Sequence, residues 1–188
     1  MKRSLFNAIP YNYAPFFRAL HIIIALLILS QIINSNFIEE ESLGGSGIET
    51  VMTWVHVVSG FALIFLGLML LAWMLTQRGF RWYYAWLMMD FSGVISDLST
   101  IRSFRLPEAA QGSIAASIQG LGVVALLLVA CSGGLWFVAN SWFNASEEMT
   151  DYYLHLHKFL TTFIEIYFYA HGAMGILHML LARKKAVS

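Results

Sequence analysis

Four long apolar stretches constrain this sequence more than any other feature. They run from about 15 to 34, 51 to 75, 118 to 139 and 152 to 182. Each is as long as, or longer than, the roughly 20 residues that a helix needs to cross a bilayer. Lipid offers no hydrogen bonds to the backbone, so such stretches must form helices. The sequence therefore predicts an all-α membrane protein, a single domain of residues 1–188 built as a four-transmembrane-helix bundle.

Composition supports this class. Of the 188 residues, 59% are hydrophobic and only 12% are charged, whereas soluble domains carry about 25% charged residues. The formal net charge is zero, which gives no basic excess for binding nucleic acid. Lipid is therefore the first expected partner, and nucleic acid is not expected.

The charges divide between two sets of connecting segments. Segments 35–50 and 140–151 are acidic and contain no Lys or Arg. Ten of the eleven basic residues lie in the other set: Lys2, Arg3, Arg18, Arg78, Arg81, Arg102, Arg105, Arg183, Lys184 and Lys185. By the positive-inside rule the basic side is cytoplasmic. We expect a multi-pass protein of the bacterial inner membrane with both termini in the cytoplasm.

The connection 76–117 is long and opens with a cluster of aromatic residues. These are Phe80, Trp82, Tyr83, Tyr84 and Trp86. Aromatic clusters of this kind suit the headgroup level of a membrane. An amphipathic helix at about 82–98, lying on the cytoplasmic face between helices two and three, is predicted here.

Histidine spacing is the feature that points to chemistry. The chain has six histidines, all in or beside the apolar stretches: His21, His56, His155, His157, His171 and His178. A single one of these is equally well explained by a hydrogen bond to a neighbouring helix. However, His157 and His171 are 14 residues apart, which brings them to within about 40° of one helix face, about 21 Å apart along its axis. One helix thus offers two imidazoles, one near each membrane surface.

Each of these imidazoles has a predicted partner at its own depth. His56 and His157 both lie one to two turns from the acidic side, and His21 and His171 both lie towards the basic side. Each pair can supply the two axial nitrogens of a haem iron. The chain has no C-x-x-C-H motif, so covalent c-type attachment is excluded and two b-type haems are expected.

Two glycines near His56 and the alternative of a zinc site bear on this prediction. Gly60 and Gly67 follow His56 on nearly the same face and would let a flat macrocycle approach the backbone, although small residues also serve ordinary helix packing. A zinc site needs three or four ligands at one depth, and the two predicted pairs are too far apart to provide them.

The histidine pattern resembles a known family. One histidine in each of the first two helices, none in the third, and the string from His157 through Lys-Phe-Leu-Thr-Thr-Phe to His171 in the fourth are similar to the bacterial dihaem cytochrome b superfamily. That group includes cytochrome b561 and the cytochrome b subunits of nickel-iron hydrogenases and formate dehydrogenases. The resemblance covers nearly the whole chain.

The resemblance implies a function. Haem b would be held by His21, His56, His157 and His171, and electrons would pass between a quinone and a periplasmic redox protein or a dehydrogenase or hydrogenase subunit. The quinone would bind near the cytoplasmic haem, with His178, Gln111 and Gln119 as candidate lining residues.

Two alternatives stay open. A stand-alone quinone oxidoreductase could oxidise a small periplasmic donor such as superoxide, but the acidic periplasmic loops do not favour an anionic substrate. A membrane anchor subunit without cofactor is the other alternative. The chain need not be a complete enzyme by itself.

Overall fold

The computed structural model describes residues 15–38, 47–103, 107 and 109–187, and at 178 and 181–187 it describes the backbone alone. All regular elements in this part of the chain are helical. The six α-helices are α1 (Pro15–Asn34), α2 (Ile48–Arg78), α3 (Phe80–Tyr84), α4 (Ser92–Arg102), α5 (Ile114–Ser141) and α6 (Glu147–Val187). Short 3₁₀ turns cover Ser35–Phe37 and Ala85–Met88.

Three of the described helices are long and apolar enough to cross a membrane: Pro15–Phe37, Ile48–Arg78 and Ile114–Ser141. Their ends lie within about five residues of the first three predicted stretches. The fourth long helix, α6, has 41 residues and would extend about 60 Å. Its histidines, tyrosines and Glu165 lower its average hydropathy, so the fourth span stays a prediction.

The long helices bury one narrow stripe and leave large apolar side chains on the outside. On α1, Leu20, Ile24 and Ile28 are buried at a spacing of four residues, whereas Leu26 is 61% exposed. Phe65 on α2 is 68% exposed. A soluble protein does not leave so many large apolar side chains in water. The exposed faces fit a lipid environment, and the chain is a membrane protein.

The four long helices pack in a ring. Helix α1 packs against α2, α2 against α5 and α5 against α6, while α6 meets α1 through a smaller contact. The shared core includes Leu63 and Leu70 of α2, Leu126 of α5 and Ile164 of α6. Helix α6 is therefore held mainly by α5, the long helix without a histidine.

The single amphipathic helix expected at about 82–98 is divided into two helices. Met89 adopts a left-handed conformation with φ 58°, which ends the 3₁₀ turn after α3. Asp90 then accepts hydrogen bonds from the backbone N–H and the hydroxyl of Ser92 at the start of α4. Arg81 of α3 forms an ion pair with Asp90 at 2.8 Å. The Asp90 carboxylate accepts hydrogen bonds from the first residue of α4, so a new helix begins there. The chain therefore bends at Met89–Asp90.

Helices α3 and α4 anchor the beginning of α5. The hydroxyl of Ser113 accepts a hydrogen bond from the backbone N–H of Ala116, which caps the helix. The carboxylate of Asp97, on α4, accepts the backbone N–H of Ile114 at 2.7 Å. A Cβ on Gly93 would lie 2.5 Å from the backbone of Gly112, so only glycine permits this close approach of α4.

Candidate functional site

Two pairs of imidazoles face each other within the bundle. The ring centroids of His56 on α2 and His157 on α6 are 6.2 Å apart. Those of His21 on α1 and His171 on α6 are 6.0 Å apart. These are the two pairs that the sequence predicts from depth and helix face. The structure therefore brings the predicted partners together, with one pair in the first third of α6 and the other just past its middle.

The two centroid separations are compatible with pairs of imidazoles that would each share one metal ion. An imidazole nitrogen binds a first-row metal ion at about 2 Å and lies about 1.2 Å from its own ring centroid, so two axial rings have centroids about 6.4 Å apart. Both observed distances are within about half an ångström of this value. Rotation of a ring about the line that joins the two centroids leaves their distance unchanged, so interplanar angles of 89° and 64° are both compatible with such a pair. The residues present fit a bis-histidine haem at each position.

The ring nitrogens of His157 have different roles. Its Nδ1 lies 3.0 Å from the carbonyl oxygen of Val129 and 3.2 Å from the hydroxyl of Ser132, both on α5. Because a carbonyl oxygen only accepts hydrogen bonds, Nδ1 must carry the ring proton in the contact with Val129. Nε2 is then the unprotonated nitrogen, which is the form that binds a metal.

The partner imidazole of His56 is held in another way. Its Nδ1 is buried and has no hydrogen-bond partner among the residues that the structure describes. The side-chain amide of Gln31, on α1, donates at 2.9 Å to the backbone carbonyl of His56 and at 2.9 Å to the hydroxyl of Ser59. The backbone at His56 is thus tied to α1, while its ring has no polar contact of the kind that His157 makes with any residue whose placement is described.

Aromatic rings flank the second pair. Phe17 stacks on His21 with centroids 6.2 Å apart, and Tyr167 stacks on His171 with centroids 5.1 Å apart and an angle of 13°. Each aromatic residue precedes its histidine by four positions, one turn along the same helix. Both imidazoles of this pair are therefore restrained by rings on their own helices.

Two glycines of α2, Gly60 and Gly67, are predicted to lie beside a macrocycle. A Cβ on Gly60 would lie 3.6 Å from the amide of Gln31, and one on Gly67 would lie 2.9 Å from Leu127 of α5. Both glycines therefore lie at helix–helix contacts. Contact of these glycines with a macrocycle stays a prediction.

The candidate quinone residues are only partly described. Gln111 is exposed in the turn before α5, and Gln119 is half-buried on α5. In the described part of the chain, no hydrogen bond or ring contact joins either glutamine to His21 or His171. The side chain of His178 lies outside the described set, so a pocket formed by these three residues stays a prediction.

Clusters of three or more His, Cys, Asp or Glu side chains that could hold a metal ion are absent from the described residues. A bis-histidine haem takes only two ligands from the protein, so the paired sites do not depend on such a cluster.

Sequence reasoning did not identify the residues that support the ligands. Ser132, Gly133 and Tyr167 contact His157 or His171 directly. Tyr167 could have been found, because an aromatic residue four positions before a helical histidine lies on the same face. Ser132 and Gly133 could not, since their role depends on how α5 is rotated against α6.

A helical membrane protein with imidazoles paired at two heights has the architecture of a membrane b-type cytochrome. A model of the family described as prokaryotic cytochrome b561 matches residues 12–188. The chain belongs to the prokaryotic cytochrome b561 family. It is accordingly a membrane b-type cytochrome of electron transfer, a class that binds haem b. We found no match among curated proteins and none among solved structures.

Proposed function

We propose that this chain is a dihaem cytochrome b that carries electrons across the cytoplasmic membrane between a periplasmic redox partner and the quinone pool. The observation that carries the proposal is the pair of centroid distances, 6.2 Å for His56 and His157 and 6.0 Å for His21 and His171. Haem b supplies a one-electron iron couple when bound. The four imidazoles would be the axial ligands.

The spacing along α6 accounts for transport across the membrane. His157 and His171 are about 21 Å apart along the helix axis, which is most of the roughly 30 Å of hydrocarbon. A pair at each height would place two haem sites within one bundle, one near each membrane surface. A single pair would serve one membrane surface only.

The proposed partners follow from charge and depth. In our topology, α6 begins in the periplasm and crosses the membrane as a fourth span. The segment 140–151 then presents Glu147, Glu148 and Asp151 with no Lys or Arg, close to His157, and would attract a basic redox protein. Glu39, Glu40 and Glu41 would add to this surface, but they lie outside the described residues. The quinone would exchange electrons at the His21–His171 pair, with Gln111, Gln119 and His178 as candidate contacts.

The proposal is tested on the purified full-length chain. We expect an oxidised Soret peak, a reduced α-band of b type, and a haem-to-protein ratio of about two. Redox titration should resolve two one-electron steps. Quinol added to the oxidised protein should reduce it. A ratio near one would contradict the dihaem arrangement, and a protein that binds no haem would leave the membrane-anchor alternative.

A further inference from the structure

The long helix α5 carries no histidine, yet it contacts the histidine environment at both heights. At the His56–His157 pair, the Nδ1–H of His157 donates hydrogen bonds to the carbonyl oxygen of Val129 and the hydroxyl of Ser132. Ser132 is only 3% exposed, and its hydroxyl also donates to the Val129 carbonyl at 2.8 Å. The Nδ1 proton therefore points at two oxygens that are themselves fixed within α5.

A glycine provides space for the same ring. A Cβ added to Gly133 would lie 2.9 Å from Cε1 and 3.0 Å from Nδ1 of His157. Side-chain carbon atoms almost never approach a neighbour so closely. The imidazole of His157 therefore lies directly on the backbone of α5, and any larger residue at 133 would displace it.

A second glycine acts through an aromatic ring near the other pair. A Cβ added to Gly122 would overlap the ring of Tyr167 at Cζ, Cε2 and Oη. Tyr167 in turn stacks on His171. The space at Gly122 thus receives the ring that restrains His171.

The two glycines lie on one face of α5. They are 11 residues apart, which at about 100° per residue returns to within about 20° of the same direction. Their contacts on α6 run in the opposite order, as antiparallel helices require: Gly122 contacts Tyr167, and Gly133 contacts His157. A single face of α5 therefore faces both sites.

We propose that α5 is the positioning element for both ligand histidines of α6. Ser132, the Val129 carbonyl and Gly133 set the ring orientation and the protonated nitrogen of His157. Gly122 sets the place of Tyr167 and, through it, of His171. This inference rests on the proposed function, because it concerns residues that would orient haem ligands.

The first test compares two adjacent glycines in the full chain. Gly133→Ala introduces a methyl group against His157, whereas a Cβ at Gly134 would meet Phe61 at 3.4 Å, an ordinary contact. Both changes add the same atoms to the same helix. We expect Gly133→Ala to shift the midpoint potential and the electron paramagnetic resonance signal of one haem and leave the other unchanged. We expect Gly134→Ala to leave both haems as in the wild type.

The second test uses a compensating pair. Gly122→Ala should disturb only the haem that Gly133→Ala leaves intact. Combining it with Tyr167→Leu removes the ring that the new methyl group would strike. Haem content should then return to that of Tyr167→Leu alone. A double variant whose haem content stays as low as that of Gly122→Ala would overturn the role of Tyr167. A packing defect of α5 that does not involve the Tyr167 ring would then explain the loss in the single and the double variant.

Ser132→Ala addresses the hydrogen bond itself. It should leave the haem content unchanged and raise the midpoint potential of the same haem that Gly133→Ala affects, because a ligand imidazole that loses an acceptor at Nδ1 donates less electron density to iron. An unchanged potential would contradict the role of this hydroxyl.

The outcomes separate this inference from the proposed function. A wild-type chain that binds no haem would refute the proposed function. A wild-type chain with two haems, whose spectra and potentials are the same in Gly133→Ala, would refute the positioning role alone. A Gly133→Ala protein that loses both haems equally would also refute it, because the effect would then be on folding.

Discussion

The four paired histidines differ in what surrounds each ring. His157 has two oxygen partners on α5, whereas the Nδ1 of His56 is buried with none in the described part of the chain. His21 and His171 are flanked by aromatic rings. Because hydrogen bonding and burial around the ligands tune the potential of a haem, these differences would give the two sites unequal potentials. The site with the higher midpoint potential would then hold the electron at equilibrium, on one side of the membrane.

Replacing single histidines tests the pairing residue by residue. We expect His56→Ala and His157→Ala to remove the same haem, and His21→Ala and His171→Ala to remove the other, so that the haem-to-protein ratio falls from about two to about one in each case. Absorbance and a haem assay on purified protein measure this. His155→Ala is the matched control, because His155 is exposed and lies two residues from His157. Loss of both haems in His56→Ala with none in His21→Ala would be incompatible with the pairing.

Several residue positions were predictable from helix geometry alone. The 14-residue spacing fixes the relative direction and height of His157 and His171 on any regular helix, and the membrane fixes the depth of the facing elements. The partners His56 and His21 follow from these constraints. Periodicity does not fix the rotation of α5 about its axis, so the contacts of Ser132 and Gly133 with His157 could not be derived.

Among the elements, α3 and α4 act as a brace at the start of α5. The hydroxyl of Tyr84 donates to the carbonyl of Gly120 at 3.1 Å, and Asp97 accepts from Ile114. The aromatic cluster that begins the connection 76–117 is therefore partly structural. The bend at Met89 and Asp90, which separates α3 from α4, was not predicted. It depends on local bonds of the Asp90 carboxylate that a hydrophobic pattern does not reveal.

Asp97 offers a direct test of this brace. Asp97→Ala removes the acceptor for the Ile114 N–H and should lower stability by about 1 to 3 kcal/mol. Asp97→Asn keeps an oxygen at the same place and should lose much less. Thermal unfolding in detergent, followed by circular dichroism, measures both, with Ser96→Ala as an exposed control on the same helix. Equal losses in the alanine and asparagine variants would argue against a capping role.

The joint between α3 and α4 has a defined pH dependence. Hydrogen bonds from Ser92 and from Arg81 lower the pKa of the Asp90 carboxyl from 3.8 to about 2. A depressed pKa stabilises the folded state above the ordinary value and loses that effect as the pH falls through the folded value. The small difference in Tm between the wild type and Asp90→Asn should therefore stay constant from pH 7 to about 4 and disappear near pH 2. A difference that already shrinks between pH 7 and 5 would mean that another group is responsible.

For the whole molecule, the orientation in the membrane would determine which of the two proposed haem sites faces which redox partner. The asymmetry of charged residues predicts that both termini and the α3–α4 segment are cytoplasmic. The α5–α6 connection at Asn144 would then be periplasmic. This arrangement requires α6 to cross the membrane despite its polar residues.

Reporter fusions test this topology. Alkaline phosphatase, which is active only in the periplasm, should be active when inserted at Asn144 and inactive at Gly79. Green fluorescent protein joined after Ser188 should fluoresce, since it folds in the cytoplasm. Phosphatase activity at the C-terminal end would instead mean that α6 does not cross the membrane.

The unbroken course of α6 has a consequence for how this protein can vary. His157 and His171 belong to one continuous helix, so the distance between the two proposed haem sites would be set by the number of residues between them, 158–170, and not by packing. Adding or deleting one residue there would turn one imidazole by about 100° relative to the other. An insertion or deletion between the two histidines is therefore expected to disturb the pairing of at least one of them with its partner on α1 or α2.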